Sequence, residues 1–243
     1  MNQDIRVATL FQRSIYCCPT GYTIQSSQGV EAICPLSPSF FRKQLCRILD
    51  EYNPQYIKIG ALCAPSQISI LKEILSEYKC LNILIDPILK PTKGISFISN
   101  PKLYQELLKI AEFISPNWNE LAEISGRPIH NFAMSLDAAK LLVQRYKINI
   151  LLTGGHANCD PIPETYISVD NTKTHYLPKK YWNYSHGTGC ALSMTFLCYL
   201  EDGYSAEKAF CAASHWVSDF YDKLNEHSNI NLDMDKHSRD FPT

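Results

Sequence analysis

"LNILIDPIL", residues 81–89, is a near-continuous apolar run cut by Pro87. A strand covered on both faces reads this way, because neither set of its alternating side chains meets water. The flanking segments are helical. Before the run, "PSQISILKEILSEY" (65–78) puts Ile68, Leu71, Ile74, Leu75 and Tyr78 on one face, with Ser66 as the expected N-cap. After it, "NPKLYQELLKI" (100–110) opens with Asn100 as cap and Pro101 at the first helical position. The alternation continues outward. "QYIKIGAL" (55–62), "EFIS" (112–115) and "INILLTGG" (148–155) read as short strands, and "PSFFRKQLCRILDEY" (38–52) and "SLDAAKLLVQRY" (135–146) as helices. "TYISVD" (165–170) and "KTHYLP" (173–178) alternate like a solvent-facing hairpin near one sheet edge. Two helical runs follow, "CALSMTFLCYLED" (190–202) and "SAEKAFCAASHWVSDFYDKL" (205–224), the second with Phe210, Ala213, Val217, Phe220 and Leu224 on one face. Strands alternating with helices predict an α/β fold with a mostly parallel sheet covered on both sides. The 243 residues suit a single domain over 1–243, with a loosely held tail from about Asn229, where periodicity ends.

Composition excludes several classes. Lys and Arg number 23 against 24 Asp and Glu, so nothing argues for a nucleic-acid or membrane-surface partner. No apolar run reaches the roughly 18 residues of a membrane span, and the start, "MNQDIRVATLFQRS", does not read as a signal peptide. A cytoplasmic protein is expected. The ten cysteines form no CxxC and no disulfide-like spacing, and most lie in apolar runs, which predicts free, buried thiols.

In parallel sheets ligands bind beyond the carboxyl ends of the strands. That rule directs attention to Gly60, Asp86, Asn117, Gly154 and the 186–190 loop. In "HGTGC" (186–190), glycines at 187 and 189 let backbone amides approach a ligand, and the helix that follows presents unpaired N–H groups suited to a phosphate. Cys190 would lie in its first turn, where a thiolate is stabilised and the thiol pKa lowered. A packing turn before a helix reads the same way. "SPNWNE" (115–120) spaces Asn117 and Glu120 so that both face one side of a helix start. They are either oxygen ligands for Mg²⁺ or a capping box. Asp86 ends a buried strand and needs a partner, supplied by metal-bound water, a phosphate or a local N–H. The glycines of "LLTGGH" (151–156) let a nucleotide lie on the backbone or make a tight turn. The pairs His186/Cys190 and Cys211/His215 have zinc-like spacing, but i,i+4 pairs arise by chance in amphipathic helices, and zinc is disfavoured.

"YIKIGAL", "ILIDPIL", "ISPNWNE", "LLTGGH" and "HGTGCALS", in this order and at these intervals, resemble hydroxymethylpyrimidine/phosphomethylpyrimidine kinase, the thiamin-pathway member of the ribokinase-like superfamily. "DGYSAEKAF" (202–210) extends the likeness, which covers roughly residues 2–225. The resemblance implies a three-layer α/β/α domain. It implies ATP- and Mg²⁺-dependent phosphorylation of 4-amino-5-hydroxymethyl-2-methylpyrimidine and then of its monophosphate, by a homodimer. Cys190 would accept the hydroxyl proton, and amides of Gly187, Thr188 and Gly189 would form the anion hole. Asn117 and Glu120, with Asp86, would order Mg²⁺, and Thr153, Gly154, Gly155 and His186 would lie at the nucleotide. Asp4 in "NQDIR", Gln25 in "TIQSSQGV" and Ala61 would face the pyrimidine, with Ala61 where the family usually has methionine. Family members begin with a strand and a glycine-rich turn ahead of the segment matching Asn2. Without that strand, normally central, the sheet is expected to have a gap or an exposed edge. A pyridoxal-type kinase and a non-catalytic pyrimidine- or nucleotide-binding protein are the alternatives.

Overall fold

The computed structural model describes all residues except 27–28, 79–81, 91–93, 99, 155–158, 181, 183–186 and 238–243, and describes 227–237 as backbone. In chain order the elements are α1 (Asn2–Leu10), β1 (Gly21–Ser26), β2 (Gly29–Pro35), α2 (Pro38–Tyr52), β3 (Tyr56–Ile59), α3 (Pro65–Leu75) and β4 (Asn82–Ile85). A 3₁₀ turn (Pro101–Leu103) runs into α4 (Tyr104–Leu107), followed by β5 (Phe113–Ile114), α5 (Trp118–Ser125), α6 (Phe132–Tyr146) and β6 (Asn149–Leu152). The order ends with β7 (Ile162–Ile167), β8 (Thr172–Leu177), α7 (Thr188–Glu201) and α8 (Ala206–His237).

The main sheet has six strands in the order β3-β4-β5-β6-β7-β8. The first four run parallel, and β7 and β8 are antiparallel. Alternate side chains of each strand feed two cores. Ile83, Ile85, Ile114, Ile150 and Leu152 pack with α2, α3, α5 and α6. Leu84, Phe113 and Leu151 pack with Val7 of α1 and with Ala191, Phe196, Phe210 and Tyr221 of α7 and α8. These two cores are why the strands read as unbroken apolar runs, and they make the three layers. Among the described residues β3 and β8 are the end strands of this sheet. β1 and β2 form a separate antiparallel hairpin.

Caps decide the helix ends. Ser37 Oγ accepts from the Phe40 N–H at the start of α2 (3.3 Å), and Asn131 Oδ1 accepts from the Met134 N–H (2.9 Å), so α6 starts before its apolar run. Ser66 is not the cap of α3. The helix starts at Pro65 after Ala64, and Gln67 Oε1 accepts from the N–H groups of Cys63 (2.9 Å) and Ala64 (3.2 Å). The 165–178 hairpin is less solvent-facing than predicted. Pro163 to Ile167 of β7 are buried, and alternation with water is confined to the edge strand β8. α8 continues past Asn229 to His237.

Among the described residues the cysteines are free, but only Cys63 and Cys198 are buried. Cys34 is exposed and the others are half-buried, because they sit at the margins of apolar faces. No described helix is long and apolar enough to cross a membrane.

Candidate active site

The carboxyl ends of the parallel strands converge as the fold class demands. The N–H of Asp86 bonds to the carbonyl of Ile59 (2.8 Å), that of Ser115 to Ile85 (2.8 Å) and that of Thr153 to Pro116 (3.0 Å). Asn117 and Thr153 form a parallel bridge. The ends of β3, β4, β5 and β6 therefore present Ala61, Asp86, Asn117, Thr153 and Gly154 along one rim.

At this rim Lys58, from β3, gathers three predicted residues. Its ammonium pairs with Asp4 of α1 and with Asp86 (3.1 Å) and donates to the Cys190 carbonyl (3.0 Å). Ser193 Oγ donates to Asp86 Oδ2 (2.9 Å). The Lys58 side chain is 10 % exposed and that of Asp86 6 %. Burial alone would discharge Lys58, but Asp86 and Asp4 outweigh it and hold the ammonium charged. Burial likewise works to raise Asp4, and Lys58 beside it keeps its carboxyl below the ordinary value. Sequence reading missed Lys58. The available signal was a lysine inside the apolar run "YIKIGAL", a place that a charge occupies only when partnered.

Helix α7 starts at this cluster. Gly187, its N-cap, has φ 83°, and a Cβ there would lie 2.6 Å from Gln3 Cγ. No side chain caps the helix, and among the described residues the N–H groups of Thr188, Gly189 and Cys190 make no hydrogen bond. The backbone turn and helix start expected of "GTG" are present. The expected low thiol pKa is not. Burial and Asp86, with a further contribution from Asp4, push Cys190 up to about 12 against the opposing effect of Lys58. Loss of water and two carboxylates outweigh the helix-end field, so Cys190 is a thiol at neutral pH.

Asn117 and Glu120 form the capping box. The Asn117 N–H donates to Glu120 Oε2 (2.9 Å) and the Glu120 N–H to Asn117 Oδ1 (3.0 Å). Burial pushes Glu120 up to about 8; the Asn117 N–H opposes this and Asp86 adds to it. A carboxyl buried near a second one is also a place that a cation would relieve.

Gly154 is required by packing, since a Cβ would lie 2.4 Å from the Pro163 carbonyl oxygen. Its N–H donates to Glu164 Oε1 (3.3 Å) in β7, while Glu164 Oε2 is buried without a partner among the described residues. Glu164 was also missed, although a glutamate in "PIPETYIS" breaks an otherwise apolar and neutral strand. Gln25 is exposed on β1 and has no hydrogen bond or ion pair to the Lys58 group. The Ala61 carbonyl accepts from Thr20 Oγ1 (2.9 Å). Gly155 and His186 lie outside the described residues.

Glu164 has a consequence for stability. Burial pushes its carboxyl up to about 8, opposed by the Gly154 N–H. The folded chain therefore holds a proton that the unfolded chain has lost. The stability tied to the neutral acid is complete below the ordinary carboxylate range and is lost as pH rises through about 8. The slope is at most about 1.4 kcal/mol per pH unit. Glu164→Gln is expected to flatten the pH dependence of urea-unfolding free energy between about pH 6 and 8. Equal slopes in variant and parent would show that Glu164 is already ionised in the fold.

The comparisons with known proteins agree with this architecture. The chain is similar to a chloroplastic thiamine biosynthetic bifunctional enzyme of Arabidopsis thaliana, 29 % identical over 231 residues, covering 90 % of this chain and 43 % of that protein. A hydroxymethylpyrimidine/phosphomethylpyrimidine kinase of Staphylococcus aureus is 24 % identical over 204 residues, covering 82 % and 74 %. The chain thus spans less than half the length of the plant enzyme and about three quarters of the staphylococcal one. Two solved structures share the fold. The phosphomethylpyrimidine kinase of Clostridium difficile superposes with a TM-score of 0.75 at 24 % identity, covering 89 % of this chain and 90 % of that one. The S. aureus pyridoxal kinase in complex with ADP gives 0.79 at 21 %, covering 90 % and 81 %. The family profile described as phosphomethylpyrimidine kinase matches residues 1–233, and the chain belongs to that family.

Proposed function

We propose that the chain phosphorylates the hydroxymethyl group of 4-amino-5-hydroxymethyl-2-methylpyrimidine, and then the resulting monophosphate, with ATP as donor. The observation that supports this reading is the start of α7, where the N–H groups of Thr188, Gly189 and Cys190 have no hydrogen-bond partner among the described residues and lie beside the Lys58 cluster at the carboxyl rim of the sheet. Phosphoryl transfer depends on positioning and on neutralising charge. The N–H groups of Thr188, Gly189 and Cys190 are suited to hold the transferring phosphoryl oxygens, and Gly187 lets the backbone take the turn this requires. Thr153 and Gly154, at the neighbouring strand end, are suited to lie along the nucleotide.

The oxygen donors Asn117, Glu120 and Asp86 fit Mg²⁺. Two of the three are carboxylates near one another, and the charged form of Glu120 is disfavoured without a cation. When bound, Mg²⁺ would neutralise charge on the donor phosphates. Cys190, inside the same cluster, is the group that we assign to receive the alcohol proton. Lys58 favours its thiolate form and holds Asp86 and Asp4 in place.

The test is product formation from ATP with the purified chain and each alcohol in turn. Successive mono- and diphosphate from the pyrimidine alcohol is the expected result. A clear preference for pyridoxal would replace this reading with the pyridoxal-type kinase. Tight binding of the pyrimidine in calorimetry without ADP release would make the chain a binding protein.

A further inference from the structure

The fold completes a group that the sequence left as a pair. Cys211 and His215 lie one turn apart on α8. His175, 36 residues earlier on the edge strand β8, comes against them, and one ligand atom from each of the three lies within 4.8 Å of the other two. Neither the candidate active site nor the family assignment uses these residues.

We propose that His175, Cys211 and His215 form a surface site for a zinc-class divalent cation that pins β8 to α8. One thiolate and two imidazoles are the borderline-soft donors that such ions prefer over Mg²⁺ or Ca²⁺. Bond lengths of about 2.0–2.3 Å at a tetrahedral ion set the ligand atoms about 3.3–3.8 Å apart, so closing the present spacing takes only small side-chain rotations.

Three details of the group prepare it for an ion. The His215 Nδ1 lies 2.8 Å from the Cys211 carbonyl oxygen. The same ring nitrogen lies 3.7 Å from Cys211 Sγ, so the imidazole is held against the thiol. His175 Nε2 is buried and has no partner among the described residues. The ring of His175 is fixed by edge contact with Phe210 (5.4 Å between centroids) and by stacking on His215 (5.6 Å). Burial and His215 push His175 down to about 4, so it stays neutral and able to coordinate. Burial, with Glu207 adding to it, raises Cys211 and keeps it a thiol until a cation arrives. Coordination then breaks the S–H bond, forms the metal–sulfur bond and releases one proton to solvent. His215 is exposed, which leaves the fourth position to water.

The full chain is to be titrated with Co²⁺ alone as a spectroscopic stand-in for zinc, and then with Zn²⁺ in competition. One equivalent of Co²⁺ is expected to produce thiolate-to-metal charge-transfer absorption with tetrahedral ligand-field bands, and Zn²⁺ to abolish both. Cys211→Ser and His215→Ala are expected to lose the signal, and Cys34→Ser, an exposed thiol elsewhere, to keep it. Zn²⁺ is expected to raise the melting temperature of the parent but not of His215→Ala. His215 is exposed, so its truncation spares the core and this comparison stands even if Cys211→Ser folds poorly. Absence of the charge-transfer signal in the parent, or its persistence in His215→Ala, would overturn the site.

Discussion

Replacing Lys58 with methionine is expected to lower unfolding free energy by about 3–5 kcal/mol, the cost typical of breaking a buried charge pair from one side. Methionine fills similar space, so the effect isolates the charge. The loss leaves Asp4 and Asp86 facing each other with little access to water, and of the two side chains that bond to Asp86 only the Ser193 hydroxyl remains. Adding Asp86→Asn to Lys58→Met is expected to recover part of the loss, because it removes one stranded charge. Denaturant midpoints of the two variants against the parent, at matched slopes, make the measurement. A change below about 1 kcal/mol for Lys58→Met would mean that water reaches the cluster and that its pairs behave as surface pairs do.

The second large effect is catalytic. Cys190→Ala is expected to reduce kcat by about 10²–10⁴, the range for loss of a positioned acid or base, while the KM for ATP changes far less. The anion-binding N–H groups belong to the backbone and survive the substitution, so nucleotide binding is largely spared. Because burial and Asp86 hold Cys190 as a thiol, the thiolate fraction grows with pH. The parent rate is therefore expected to climb with pH above neutrality, and that climb to vanish in Cys190→Ala. An unchanged kcat would show that the N–H groups and the bound cation suffice and that another group, or none, takes the proton.

Much of the fold was readable because the information was local. The bounds of α2 follow from an apolar period of three to four, Ser37 before Pro38 and Asn53 after it. β4 announced itself by a run with no polar face, because each of its faces meets a separate core. The spacing of Asn117 and Glu120 allowed a capping box, and the structure forms it. The candidate site was readable as a set of strand ends. Its electrostatics were not. Gln67 displaced Ser66 from the start of α3 through bonds to Cys63 and Ala64, which propensity at a single position does not foresee.

From its residues alone the chain determined an alternation of strands and helices, the rim on which a ligand would sit, and the start of a helix suited to a phosphate. Period, caps and glycine spacing are properties of neighbours in sequence, and they act whatever lies beyond them. Only the tertiary structure decided that Lys58 binds Asp4 and Asp86, that Glu164 lies beneath Gly154, that His175 meets Cys211 and His215, and that Cys190 keeps its proton. Each of these depends on charge and desolvation between residues far apart in the chain. The field at a buried atom is set by what the fold packs around it, and that is not written in the atom's own segment.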